Sequence, residues 1–388
     1  MIRKNRKIAF VPGVFFPDYG GAQIQCHNIA NKLSEKKFDI DMFGFQKLKI
    51  KNNKYNFFNI NNIILKLVFI FKYYFKINID KILEIYLKSF ILKNKYLSWH
   101  FHFINYKSLI LINVLKKLNQ KIIVTFQGID IQKNKNIGYG YRLNKNYDIF
   151  LKKNLKNIDY FFYISETIKK ELLKLGISQK KLRYFPNSVN FSKFNSIKIK
   201  KNNSQLITLL TVARYAVKKK GFDRLSKVAK YLIDQNVNFK WVIVGSGVRN
   251  LTNDSFIRKN KRFFHIVDNI KNEDEYFFPH SELIKIYKSS DIYVNLSRIE
   301  SFGITYIEAL ASKLPIFSFN IKGANEIVKN ETNGIIIKKN DLKYYSLRLK
   351  NLINNSKKLN KLKSNSHVGI KKFFLDNSLK NNIKIYTD

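Results

Sequence analysis

The sequence predicts an α/β protein made of two doubly wound, Rossmann-like domains with parallel sheets. Three observations predict it: apolar strand-like runs alternate with longer amphipathic helical patterns, that alternation occurs twice, and a polar stretch separates the two series. The length of 388 residues supports the same division, because it exceeds what one hydrophobic core usually organises.

The first series opens with the run Ile8–Val11, which Pro12 and Gly13 end. That run is too short for a signal-peptide core behind the basic Met1–Lys7 start, so it reads as a buried strand. A helix is expected from about Gly21 to Lys37, then strands at Ile40–Phe45 and Lys121–Phe126. The second series runs through Leu206–Ala213, Trp241–Val244, Ile292–Leu296 and Ile316–Phe319, with helices between. Ser, Asn and Lys dominate Phe191–Ser204, which reads as a linker. The expected domains are therefore 1–195 and 205–360, with a C-terminal helix in 361–388 returning to the first. Ligands in such folds bind beyond the carboxyl ends of the strands, so the loops that follow strands carry the chemistry.

Composition narrows the setting. The single cysteine, Cys26, excludes an intrachain disulfide and suits a reducing compartment, making the cytoplasm the default. A formal charge of +45 fits nucleic acid, an anionic membrane surface or phosphorylated substrates alike. Lysine is spread along the whole chain beside Asn and Ile, so most of it reads as solvated surface. Asn59–Ile77 is apolar and aromatic but carries Lys66 and Lys72 near its middle, which argues against a membrane span of about 20 apolar residues. Two readings stay open for it. One is an interfacial helix with Lys72 and Lys76 on one side, followed by Lys88, Lys93 and Lys95; the other is a buried helix whose lysine stems reach solvent.

The second series holds the strongest motif. In Ser297-Arg-Ile-Glu300-Ser-Phe-Gly303-Ile-Thr-Tyr-Ile-Glu308, a strand ends, a glycine loop follows, and Ile304–Ser312 reads as a helix stopped before Pro315. The backbone N–H groups of Phe302, Gly303 and Ile304 would point out of that helix start, where a diphosphate or a sugar hydroxyl can dock. Glu300 and Glu308 can accept hydrogen bonds from vicinal hydroxyls. After the first strand of this series, Arg214 and the lysine before Gly221 can clamp a diphosphate, Arg through its planar fork and Lys as a point charge. Lys219 and Lys220 both qualify; Lys220, adjoining Gly221, is preferred.

The frame Glu-x-Phe-Gly-…-Glu-Ala-…-Pro resembles the signature of glycosyltransferase family 4, retaining enzymes of the GT-B fold, in which two such domains face each other across a cleft. Ser281–Asp291, Lys322-Gly323-Ala-Asn-Glu326 and Asn333-Gly334 extend the resemblance in order, and Pro186-Asn187-Ser188-Val189 departs from it by placing Ser188 where glycine is usual. The resemblance implies that Glu300 holds hydroxyls of the donor sugar, that Glu308 holds the ribose, and that Arg214 and Lys220 stabilise the leaving nucleoside diphosphate. It also implies a donor-side backbone contact at Gly21, within Phe15–Gln23, and framing of the base by Val244-Gly245-Ser246-Gly247. In Thr125-Phe-Gln127-Gly128, Gln127 replaces the family's histidine; it can still bond a sugar hydroxyl but cannot titrate near neutral pH. His100 and His102 resemble the family's His-x-His strand end, read first as structural and second as an acceptor contact.

The expected function is transfer of a sugar, with retention, from a nucleoside-diphosphate sugar to a glycan or lipid-linked acceptor, in cell-envelope polysaccharide or lipopolysaccharide synthesis. The expected location is the cytoplasm or the cytoplasmic face of the membrane. No metal cofactor is expected, because Arg214, Lys220 and the helix amides can supply the charge stabilisation, and Asp39-Ile40-Asp41 reads as the start of a strand. No nucleic acid partner is expected. The competing readings are a sugar phosphorylase, a basic nucleic-acid-binding protein and a non-catalytic nucleotide-sugar sensor.

Overall fold

The structure is a computed structural model that describes residues 6–13, 20–45, 51–60, 62–75, 77, 79–200, 206–268, 270 and 275–387, the side chains of 62, 72 and 73 excepted. The chain divides into two compact units. The first comprises Met1–Asn187, Asp274–Phe277 and Leu375–Asp388; the second comprises Ser188–Glu273 and Phe278–Phe374.

Among the described residues, unit 1 holds seven strands: β1 (Lys7–Pro12), β2 (Asp39–Gly44), β3 (Asn56–Asn59), β4 (Ser98–His102), β5 (Ile122–Phe126), β6 (Tyr160–Tyr163) and β7 (Leu182–Tyr184). They pair in parallel in the order β3-β2-β1-β4-β5-β6-β7. The order reverses between β1 and β4, and this reversal is the mark of a doubly wound sheet. Every residue of β4 and β5 is buried, as expected for a sheet covered on both faces. Lys7 lies 3.0 Å from Asp41, which also accepts hydrogen bonds from Tyr96 and Asn56, so the Asp-x-Asp triplet sits inside the sheet, engaged with its neighbours. The C-terminal tail completes this unit: the Tyr386 hydroxyl meets His100 Nδ1 at 2.9 Å, and Asn382 donates to the Tyr184 carbonyl.

Unit 2 holds β8 (Ile207–Val212), β9 (Phe239–Val244), β10 (Phe264–Val267), β11 (Ile292–Asn295), β12 (Ile316–Phe319) and β13 (Gly334–Ile337), again parallel, in the order β10-β9-β8-β11-β12-β13. The Phe222–Asp234 helix buries Phe222, Leu225, Val228, Ala229 and Leu232, the stripe a 3.6-residue period predicts. Each of these side chains except that of Ala229 contributes about 1.5–3 kcal/mol by leaving water. Polar ties hold the strand ends in register: the Thr211 hydroxyl donates to the Val294 carbonyl at 2.7 Å, and the Tyr345 hydroxyl donates to the carbonyls of Asn295 and Phe317.

Two expectations need correction. The segment read as a linker contains a helix, Phe191–Ser196. Its polar composition hid two anchors: Phe194 is fully buried, and the Phe191 ring stacks on Phe374 at 3.9 Å. The residues 361–388 do not act as one returning helix; up to Phe374 they belong to unit 2, and the rest belong to unit 1. Ser188 is buried and its φ is outside the positive range, so the turn there needs no glycine.

Candidate active site

The reversal of strand order in unit 2 falls between β8 and β11, so the loops leaving these two neighbouring strands emerge side by side. One loop carries Arg214, Lys219 and Lys220; the other carries Glu300 and leads into the Ile304–Ala311 helix. Residues some 80 apart in sequence meet for that reason.

Lys220 Nζ lies 2.6 Å from Glu300 Oε1, and the Ser297 hydroxyl donates to the same oxygen at 2.9 Å. Glu300 is only 8% exposed. Burial opposes its charge, but Lys220, Lys219 and the Ser297 hydrogen bond together hold the carboxyl below its usual range. Lys219 is half-buried, and burial, followed by the Lys220 charge, pushes it down to about 8, with Glu300 opposing and Arg214 adding. Arg214 is exposed, and among the described residues its guanidinium has no hydrogen-bond or ion-pair partner.

The pair is held by a brace the sequence reading missed. The Arg298 fork takes both oxygens of Asp223, at 2.7 and 2.6 Å, and donates to the Lys218 carbonyl, while its backbone N–H donates to the Lys219 carbonyl. Arg298 thus fastens one loop to the other two residues from Glu300 and adjacent to Lys220. Bidentate pairs of this kind fix geometry as well as charge. Arg298 lies within the motif that holds Glu300, but no local pattern shows that it and Asp223, 75 positions apart, face each other.

The helix start behaves as its sequence suggests. Gly303 caps the Ile304–Ala311 helix in the left-handed region, φ 91°, and among the described residues the N–H groups of Phe302, Gly303 and Ile304 have no protein acceptor. Such a cluster of free donors favours an anion or a hydroxyl oxygen. Glu308, one turn into the helix, is buried; one oxygen accepts from the Tyr287 hydroxyl at 2.8 Å, and the other has no protein donor among the described residues. Burial pushes its pKa up to about 7 against the lowering effect of Tyr287. Gly245 follows β9, where a Cβ would stand 2.0 Å from the Ala213 carbonyl oxygen, so its bareness lets the Arg214 loop lie close.

Gly21 and Gln127 belong to unit 1. Gly21 opens the Gly21–Glu35 helix, whose N-cap is Gly20; the preceding residues 14–19 lie outside those described. Gln127 is already engaged: its amide donates to His102 Nε2 at 2.8 Å and to Asn187 Oδ1 at 3.2 Å, and accepts from Asn187 at 3.0 Å. Burial lowers both histidines, His102 to about 3, so His100 and His102 are neutral strand-end side chains. Among the described residues, no cluster of three or more His, Cys, Asp or Glu is placed to hold a metal.

Known proteins resemble the chain along nearly its whole length. Residues 19–193 match the model of Glycosyltransferase Family 4, and residues 192–368 match that of Glycosyl transferases group 1. The capsular polysaccharide biosynthesis glycosyltransferase CapM of Staphylococcus aureus is 26% identical over 202 residues, 49% of this chain and 51% of CapM. The Escherichia coli UDP-Gal:alpha-D-GlcNAc-diphosphoundecaprenol alpha-1,3-galactosyltransferase is 30% identical over 181 residues, 44% of each chain. These matches therefore span about half the length of the curated relatives. A glycosyltransferase crystal structure from Rickettsia africae superimposes with a TM-score of 0.73 over 98% of both chains at 20% identity, a likeness of fold. With two family models meeting end to end over residues 19–368, and with this pair of parallel sheets, the chain belongs to the GT-B glycosyltransferases of the family 4 type.

Proposed function

We propose that this protein transfers a sugar from a nucleoside-diphosphate sugar to a hydroxyl of a glycan or lipid-linked acceptor, with retention at the anomeric carbon. The supporting observation is the Lys220–Glu300 pair set beside the free amides of Phe302–Ile304. Cations and amides there suit a diphosphate, and a carboxylate beside them suits sugar hydroxyls. The named activities of CapM and the E. coli galactosyltransferase favour surface polysaccharide or lipopolysaccharide synthesis, and a lipid-linked acceptor would place the work at the cytoplasmic face of a membrane.

In the proposed reaction the acceptor oxygen attacks the anomeric carbon from the face the diphosphate leaves. The bond from that carbon to the phosphate oxygen breaks with its electron pair going to the phosphate. The same phosphate oxygen takes the acceptor's proton. Arg214, Lys220 and the helix amides hold the developing phosphate charge; Glu300 orients the sugar through its hydroxyls and is not asked to act as a base. No resident metal is assigned to the reaction, because these groups supply the positive potential themselves.

A thermal-shift screen across nucleotide sugars identifies the donor, since a ligand of the folded state raises the melting temperature by mass action. Transfer of that donor's labelled sugar, with the product anomer read by NMR, then tests the reaction. A product of inverted configuration would overturn retention, and the absence of any stabilising nucleotide sugar would overturn the donor class.

Glu308 carries a separate prediction. A ribose diol donates two hydrogen bonds, so it binds the ionised carboxylate better than the acid, which has one lone proton in the way. With a pKa of about 7, ionisation grows as pH rises from 6 to 8. Affinity for the donor's nucleoside, lacking phosphates, is expected to increase about tenfold over that range, following the ionised fraction. Glu308→Gln should flatten the profile; calorimetric titration at each pH measures both.

A further inference from the structure

The Asn62–Tyr73 and Asp80–Asn94 helices of unit 1 pack on one another and on the Tyr106–Lys117 helix, through Leu65, Val68, Leu83 and Leu87. Their outer faces are the anomaly of this molecule. Among the described residues, fourteen large hydrophobic side chains are exposed, and nine of them lie between Ile63 and Leu92; the other five, Ile149, Leu173, Val217, Leu347 and Val368, are scattered. Scattered apolar side chains are ordinary on a soluble surface, whereas a contiguous patch marks a contact.

The spacing shows that the exposure is organised. Ile63, Leu67 and Ile70 follow each other at four and three residues, one stripe of a helix, and exposed Tyr74 follows four residues on, just past the helix end. On the second helix Ile82, Ile85 and Leu92 form a matching stripe, flanked by exposed Lys81, Lys88 and Lys93. Lys66 and Lys95 add two more exposed cations. The acids of the second helix do not offset them: Asp80 is buried, and both Asp80 and Glu84 are ion-paired to Lys117.

We propose that this two-helix face seats the protein on an anionic lipid bilayer, its apolar stripes entering the headgroup boundary and its lysines meeting the lipid phosphates. Charge selects this occupant over a second copy of the chain, because a self-contact would bring the same lysines against one another. Length selects lying over spanning. Twelve residues of helix extend about 18 Å, against about 30 Å of hydrocarbon, and no described helix is long and apolar enough to cross a membrane. An amphipathic helix with basic flanks and an apolar stripe lies in the interface plane. The proposal rests on the lipid-linked acceptor reading only for its purpose, since a membrane-borne acceptor would be met at that surface.

The test is flotation of the full chain with vesicles of phosphatidylcholine alone and with vesicles containing phosphatidylglycerol. Binding to the anionic vesicles is expected, weakened by salt. The L67E/I85E variant, altered at exposed positions, should bind at least about tenfold more weakly with an unchanged melting temperature, and K81E/K88E should lose the preference for anionic vesicles. Three outcomes would overturn the proposal: wild type staying soluble with anionic vesicles, L67E/I85E floating as wild type does, or light scattering showing a wild-type dimer that L67E/I85E makes monomeric. Nucleotide-sugar thermal shifts on the same variants keep the two readings apart. Vesicle binding without any thermal shift would defeat the proposed donor class while leaving the surface standing.

Discussion

Lys220→Ala is expected to lower the rate of sugar transfer by about 10²–10³, the usual loss when one preorganised charge-stabilising group is removed. It should also lower stability, because Glu300 would stay buried with only the Ser297 hydroxyl and the Lys219 charge to support it. Stranding one partner of a buried pair costs about 3–5 kcal/mol when burial is complete; here Lys220 is partly open to solvent, so about half of that is expected. Glu300→Gln should keep the hydrogen bonds while removing the charge, and the double variant should lose less stability than the two singles combined, by about 1 kcal/mol or more. Additive losses by urea unfolding would show that the pair is not coupled. The pH dependence carries the same sign. Glu300 titrates lower in the folded chain than its ordinary 4.5, so its contribution is full above that value and is lost as pH falls through the folded one. Lys220→Ala should therefore flatten the acid limb of the stability profile.

Gly221→Ala is expected to be strongly damaging for so small a substitution. Gly221 joins the Lys220 loop to the Phe222–Asp234 helix at φ 72°, and a Cβ there would lie 2.0 Å from the Leu296 carbonyl oxygen. The left-handed conformation alone costs an alanine about 1–3 kcal/mol. The collision adds to it, because Leu296 is backbone that cannot swing away and its loop carries Glu300. A fall in melting temperature of roughly 5–10 °C is expected for a unit of this size, with activity lost as Lys220 moves off Glu300. Gly176→Ala is the control. It also has positive φ, 81°, but open space around it, so it should show the conformational cost alone. Equal shifts in the two variants would remove the collision from the account.

The fold was legible because the central strands of both sheets announce themselves locally, although shorter strands such as Asn56–Asn59 and Phe264–Val267 do not. Ile8–Val11, Trp241–Val244 and Ile316–Phe319 are apolar runs between helical periods, and two parallel sheets are what such runs can build. The glutamates and the helix start were legible for a similar reason, since a strand, a glycine loop and a helix follow in one short segment. What stayed hidden was pairing across the sheet. Arg298 and Asp223 meet only because β8 lies beside β11, and neighbouring residues do not encode strand order. Environment was hidden too. Glu308 stands on a helix that the sequence shows as starting after a glycine loop, but its burial, which pushes the pKa up to about 7 against the hydrogen bond from Tyr287, comes from packing that the segment itself does not encode. Gln127 shows the converse: its chemistry was read from its type, yet His102 and Asn187 already use much of its hydrogen-bonding capacity.

The chain passes between its two units four times, at 187/188, 273/274, 277/278 and 374/375. Modular enzymes are often recombined by joining one parent's first half to another's second half. Here a single crossover near residue 188 would import a foreign tail with the second half. Tyr386 would then face a His100 it did not evolve with, and Asn382 and Ser378 would have to find the carbonyls of Tyr184 and Pro186 on an unfamiliar strand end. A chimaera that borrows another parent's second unit should instead return to its own sequence at residue 375 and keep its own 274–277. Specificity in this architecture is exchangeable as two inserted segments, not as one half of a gene.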